Sequence, residues 1–170
     1  RTSILSDVSF SVGENSVVAL VGGSGSGKTT TGLAILRLLP PGLRITGGEI
    51  LLPGKNLLSL PDEEMRGIRG GKIAMIFQEP LYAFNPVFPI GGQIDEVLRV
   101  HGNSSPAGRR ERVLELLRLA GLPDPKRVAK SFPHQLSGGM RQRAMIAQAM
   151  AGEPKLIIAD EPTSNLDVTL

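Results

Sequence analysis

The sequence predicts an α/β protein with a parallel-sheet core, an antiparallel β subdomain and an inserted helical subdomain. Three observations predict it. Residues 16–21 and 156–159 are apolar runs of the kind that form strands covered on both faces. The first runs directly into a glycine-rich loop, Gly22-Gly23-Ser24-Gly25-Ser26-Gly27, and helical spacing follows the loop. Between the two runs, residues 79–136 are broken by prolines and then patterned for helices rather than strands. The chain therefore divides into three segments. Residues 1–78 hold the antiparallel β region and half of the core, residues 79–136 the mostly helical part, and residues 137–170 the rest of the core.

Taken in order, Leu5, Val8, Phe10 and Val12 partly alternate with polar residues, which predicts a half-buried antiparallel strand. Gly13-Glu14-Asn15 marks a turn before the apolar run 16–21. A helix is expected over 28–39, with Leu33, Leu36 and Leu39 at helical spacing and Pro40-Pro41-Gly42 as its stop. Residues 47–54 read as a short strand and turn. Residues 61–68 read as a short helix whose first turn carries Asp62, Glu63 and Glu64, as the helix dipole favours. Residues 72–77 form another buried-type strand that delivers Gln78 at its end. After the aperiodic stretch 79–90, helices are expected over 93–101 and 109–119, the latter with Val113, Leu116, Leu117 and Ala120 as its apolar stripe. Residues 121–125 break that pattern. A helix over 137–151, capped by Ser137 and packing through Met145 and Ala149, precedes the strand 156–159.

With 170 residues the chain can bury one sizeable core, and 41% hydrophobic content with 21% charged residues describes a globular protein. No apolar run approaches the roughly 20 residues that span a bilayer, and no N-terminal segment reads as a signal peptide. Any membrane spanning would fall to other chains. A net charge of +3 is too small to argue for nucleic acid. The densest basic cluster, Arg109, Arg110 and Arg112, is interleaved with Glu111 and Glu115 and reads as a solvated helix face. The absence of cysteine excludes disulfides and thiolate metal sites within the chain.

Gly22-x-x-x-x-Gly27-Lys28-Thr29 is a complete phosphate-binding loop, set between a strand and a helix as that motif requires. Backbone N–H groups of Gly22, Gly23, Ser24, Gly25, Ser26 and Gly27 would turn onto phosphate oxygens at the positive end of the helix, with Thr30 beside them. Lys28 would bridge the β- and γ-phosphates of ATP, and the Thr29 hydroxyl would ligate Mg²⁺. Asp160 and Glu161 end the strand 156–159, where open α/β sheets place their ligands. Asp160 is placed to hold Mg²⁺ and Glu161 to orient or deprotonate the attacking water. Gln78 follows a strand and could touch Mg²⁺ or that water, although alone it says little. Ser137-Gly138-Gly139 offers a hydroxyl, N–H groups and a helix N-terminus. By itself that is an ordinary helix cap. Beside a phosphate loop it is a second anion cradle, which one nucleotide needs only if two chains close head to tail. His101 and His134 have no metal-ligand spacing and read as surface or packing residues.

Together these motifs resemble the nucleotide-binding domain of the ATP-binding-cassette (ABC) ATPases, a P-loop NTPase fold of RecA-like type, over essentially the whole chain. Leu39-Pro40-Pro41-Gly42, Ile73-Ala74-Met75-Ile76-Phe77-Gln78-Glu79-Pro80, Asn85-Pro86-Val87, Pro133-His134-Gln135 with the following Leu136 to Arg143, and Ala159-Asp160-Glu161-Pro162-Thr163-Ser164 are similar to the ATPase subunits of bacterial dipeptide, oligopeptide and nickel importers. The resemblance implies that Gln78 is the Q-loop glutamine, Ser137, Gly138 and Gly139 the signature, Asp160 the Walker B aspartate and Glu161 the catalytic glutamate. It also implies that Asp167 is the D-loop acid, with Asn165 standing where that branch usually has alanine. The implied partners are a second ABC ATPase subunit, integral membrane permease subunits and, indirectly, a solute-binding protein, at the cytoplasmic face of a prokaryotic plasma membrane. The family's switch histidine and adenine-stacking aromatic fall outside residues 1–170, so a fragment or partly ordered core of a longer subunit is expected. Two other readings use the same parts: a soluble ABC ATPase acting on DNA or the ribosome, and a module that dimerises on ATP without turnover.

Overall fold

A computed structural model describes residues 3–79, 83–102 and 104–162. The chain forms two compact units, Arg1–Leu60 and Pro61–Leu170, each described by itself.

The first unit carries helix α1 (Lys28–Ile35), a minimal antiparallel hairpin of β1 (Leu51–Leu52) and β2 (Lys55–Asn56), and a 3₁₀ turn at Leu57–Ser59. The glycine loop leads straight into α1, as the sequence predicts. The helix stops earlier than Leu39. Arg37 takes a left-handed φ of 53°, the Leu38 N–H donates to the Leu33 carbonyl (2.8 Å), and the Arg37 N–H donates to Ala34 (3.0 Å). That paired bonding is a Schellman stop, with arginine where glycine is usual. The Arg37 guanidinium then donates to the carbonyls of Leu57 (3.3 Å) and Leu60 (2.5 Å), tying the helix end to the 3₁₀ turn. Asn56 Oδ1 accepts from Leu58 N (3.1 Å) and Ile50 N (3.3 Å), which fixes the hairpin's exit.

Two expected strands are absent. Residues 5–12 and 16–21 belong to no assigned strand, and Val17 and Val21 are 97% and 93% exposed. An apolar run specifies a wish for burial, but a strand exists only when a neighbour supplies its ladder bonds, and local pattern does not choose that neighbour.

The second unit is built on a parallel pair, β3 (Ile73–Ile76) and β4 (Leu156–Ala159), with Ile73 opposite Leu156 and Ile76 opposite Ala159. The Asp160 N–H donates to the Ile76 carbonyl (2.9 Å), so the ladder continues one residue past β4. β3 is buried along most of its length. β4 is not the doubly covered strand expected; its residues alternate half-buried and exposed, because β3 is its one assigned ladder neighbour among the described residues.

Among the described residues, the α-helices of this unit are α2 (Asp62–Ile68), α3 (Ile90–His101), α4 (Pro106–Leu119), α5 (Pro125–Lys130) and α6 (Gly138–Met150). Ile90, Ile94, Leu116, Leu117 and Val128 are fully buried in one core with Ala74 and Ile76 of β3 and Ala144 and Met145 of α6. α4 starts at Pro106 because Ser105 caps it, its hydroxyl accepting from Gly108 N (3.2 Å). α5 was hidden in the sequence: Asp124 caps it and Pro125 opens it, a pair that reads equally well as a turn. The Arg109–Asp95 ion pair (2.9 Å), half-buried, joins α4 to α3. On the exposed face of α3, the hydrogen-bonded Arg99 guanidinium holds the Glu96 carboxyl below its ordinary range.

The turn after α6 passes very close to the turn before β3. A Cβ on Gly152 would collide with the Gly70 carbonyl oxygen and lie 3.2 Å from Gly71 Cα. Backbone on both sides cannot swing away as a side chain would. Gly152→Ala is therefore expected to destabilise the protein by about 2–3 kcal/mol, read as a lower urea midpoint at unchanged slope.

Candidate functional site

In the first unit, Gly22, Gly23, Ser24, Gly25 and Ser26 form an exposed loop, and Gly27 caps α1 in the left-handed region (φ 92°). A side chain at Gly27 would be strained there and would strike Leu5 Cδ2 at 2.6 Å. Lys28 Nζ donates to the carbonyls of Gly22 (2.8 Å) and Gly23 (2.9 Å), so the ammonium folds back across the loop. Thr29 and Thr30 lie in the first turn of α1, which has no acidic residue and no side-chain cap. The Thr31 hydroxyl donates to the Gly27 carbonyl (2.9 Å). The helix N-terminus thus has no side-chain cap, and its positive dipole end is toward the loop.

In the second unit, the carboxyl ends of β3 and β4 bring three predicted residues together. Gln78 lies two residues past β3, Asp160 is the first residue after β4, and Glu161 follows. Gln78 Nε2 donates to Glu161 Oε2 at 2.7 Å across 83 positions of sequence. Glu161 has φ 47°, left-handed, although it is β-carbon-bearing and precedes a proline. Both properties disfavour that conformation, so the surroundings must hold it.

Ser137, exposed, caps α6: its hydroxyl accepts from Met140 N (3.3 Å), with Gly138 and Gly139 opening the helix. The approach to that cap is braced from below. Arg141 Nη1 donates to the Leu136 carbonyl (2.5 Å), and Gln135 Oε1 accepts from Phe132 N (2.8 Å). His134 stacks on Phe132 with ring centroids 5.8 Å apart. Asp167 lies outside the described residues, as do Pro80 and Tyr82.

The sequence did not single out Gln142. Its side chain is completely buried, and Nε2 donates to the Pro162 carbonyl (2.8 Å), one residue past Glu161. The signal was present: Gln142 stands three and seven positions before Met145 and Ala149, on the apolar stripe of α6.

Among the described residues no group of three or more His, Cys, Asp or Glu stands together as a metal cage. Mg²⁺ bound with a nucleotide does not need one, since it takes one or two protein oxygens plus phosphates and waters. The Thr29 hydroxyl, the Asp160 carboxylate and the Gln78 amide oxygen are hard donors of that kind.

Three comparisons with known proteins bear on this arrangement. The family profile described as "ABC transporter" matches residues 5–164. The dipeptide transport ATP-binding protein DppD of Bacillus subtilis is 49% identical over 164 residues, covering 96% of this chain and 49% of that protein. The oligopeptide transport ATP-binding protein OppD of the same organism is 48% identical over 165 residues, covering 96% of this chain and 46% of that protein. The chain thus spans about half the length of the curated relatives it matches. The dimeric structure of MJ0796, a bacterial ABC transporter cassette, superposes with a TM-score of 0.84 at 36% identity, covering 96% of this chain and 68% of that one.

Proposed function

The chain belongs to the ABC transporter family, and on that footing we propose that it is the ATP-binding and hydrolysing part of an importer for peptides or related small solutes, nickel included. The observation that carries this reading is the Gln78–Glu161 hydrogen bond of 2.7 Å at the carboxyl ends of two parallel strands. It puts a carboxylate under the control of a neutral amide where open sheets bind their ligands.

The roles follow from chemistry. Gly22 to Gly27 and the start of α1 receive the phosphates through N–H groups, with Thr29 and Thr30 in the first turn. Lys28 exchanges its two carbonyl partners for phosphate oxygens. Glu161 accepts the proton of an attacking water, and Gln78 aims that carboxylate. Thr29, and separately Asp160 and Gln78, offer the oxygens that would hold Mg²⁺, which when bound would supply charge neutralisation at the transferring phosphate. Ser137, Gly138 and Gly139 of one chain close on the glycine loop of a second ATPase subunit, identical or homologous, and Asp167 communicates across that contact. Two solved structures support a two-chain unit: the MJ0796 cassette is dimeric, and a second structure of it is a dimeric post-hydrolysis state bound to ADP and Pi.

No helix among the described residues is long and apolar enough to cross a membrane. The working position is peripheral, at the cytoplasmic face of a prokaryotic inner membrane. Segment 79–136 faces integral permease subunits there, and a solute-binding protein acts indirectly through them. Nucleic acid is not among the partners. Two tests fix the reading. Mg·ATP titration with light scattering should show micromolar to millimolar binding and an ATP-dependent dimer; absence of nucleotide binding overturns it. Hydrolysis that rises when permease subunits are added separates it from a soluble ABC ATPase.

A further inference from the structure

Among the described residues, Gln142 is a fully buried polar side chain on the apolar stripe of α6, with no part in capping that helix. Its amide splits into two unlike halves. Nε2 donates to the Pro162 carbonyl at 2.8 Å, whereas Oε1 is buried with no hydrogen-bond partner among the described residues. Burying an acceptor unpaired is unfavourable, and a methionine of similar length would fill the same space without that cost. The amide therefore earns nothing as filler for the core. What it does contribute is a single directed bond to the backbone beside Glu161.

That backbone needs holding. Glu161 sits at φ 47° before a proline, a conformation that drifts toward the extended region if unrestrained. Hydrogen bonds reach the turn at its start, its middle and its end. The Asp160 N–H donates to the Ile76 carbonyl at its start (2.9 Å), Gln78 holds the carboxylate itself (2.7 Å), and Gln142 fixes the carbonyl of Pro162 at its end. The first tie comes from β3 and the second from Gln78, two residues past its end. The third comes from α6, whose N-terminus is Ser137, Gly138 and Gly139.

We infer that Gln142 is a positioning residue that holds Glu161 in its reactive geometry and mechanically joins the Ser137 helix to the catalytic turn. The inference rests on the role proposed above for Glu161. Displacement of α6 along its axis, five residues from Ser137 to Gln142, is then passed to the Pro162 carbonyl and so to the carboxylate.

The test is a double-mutant cycle on the full-length protein with Gln142→Met, Gln142→Asn and Glu161→Gln, reading kcat, nucleotide Kd and thermal midpoint together. Asparagine keeps the amide but is one methylene too short to reach Pro162. The expected result is a kcat lowered at least tenfold in both Gln142 variants, with Kd within twofold of the parent and a midpoint not lowered in Q142M. In the Glu161→Gln background, Q142M should lower the residual rate no further. Unchanged kcat in Q142M, or an equal loss with and without the Glu161 carboxylate, overturns the inference. Failure of both Gln142 variants to fold makes Gln142 a packing residue and also overturns it. If Glu161→Gln alone leaves turnover intact, it is the function proposed for Glu161 that fails instead, and the cycle shows this before Gln142 is considered.

Discussion

Replacing Glu161 by Gln is expected to lower ATP turnover by about 10²–10⁴-fold, the usual contribution of a general base, while nucleotide binding survives. The structure gives the reason for expecting so clean a separation. The substitution preserves size and leaves an oxygen that still accepts from Gln78 Nε2, now at 2.7 Å from Glu161 Oε2. The left-handed turn keeps its ties to Ile76 and Gln142. Basicity is removed and geometry is retained. Phosphate release and nucleotide titration on one preparation check the prediction, and unchanged turnover would remove Glu161 from the mechanism.

Lys28→Ala is expected to weaken nucleotide binding by about 10²-fold, near 3 kcal/mol, the loss of two hydrogen bonds made by a charged group. The β- and γ-phosphates lose the cation that, in the free loop, rests on the carbonyls of Gly22 and Gly23 at 2.8 and 2.9 Å. Arginine should not rescue, because a planar fork cannot take the place of a compact ammonium inside so short a loop. Titration with a fluorescent ATP analogue measures the change; affinity within twofold of the parent would show that the loop works without its lysine.

The candidate site residues were easier to read than the scaffold that holds them. Lys28, Ser137, Asp160 and Glu161 announce themselves through local spacing, and α2, α6, β3 and β4 follow from short-range pattern with boundaries within a residue or two. What was missed is non-local. The runs 5–12 and 16–21 have strand composition, but pairing is decided by whatever lies alongside. α1 ends at Ile35 because Arg37 adopts a left-handed stop that its side chain anchors to Leu57 and Leu60, more than 20 positions away in the case of Leu60. Gln142 looked like one more polar residue on a helix. Its importance depends on Pro162 reaching back to it, and no window of α6 contains that information.

The uncovered run 16–21 has a practical consequence for anyone handling the chain. Five of its six residues are apolar, none is charged, and proline is absent. With Val17 and Val21 open to water, it meets the description of a segment that recruits copies of itself into cross-β stacks. Concentrated stocks of these 170 residues should accordingly lose material to fibrils or precipitate in proportion to concentration, and chaperones that bind extended apolar peptide should find their purchase on the segment just before the glycine loop.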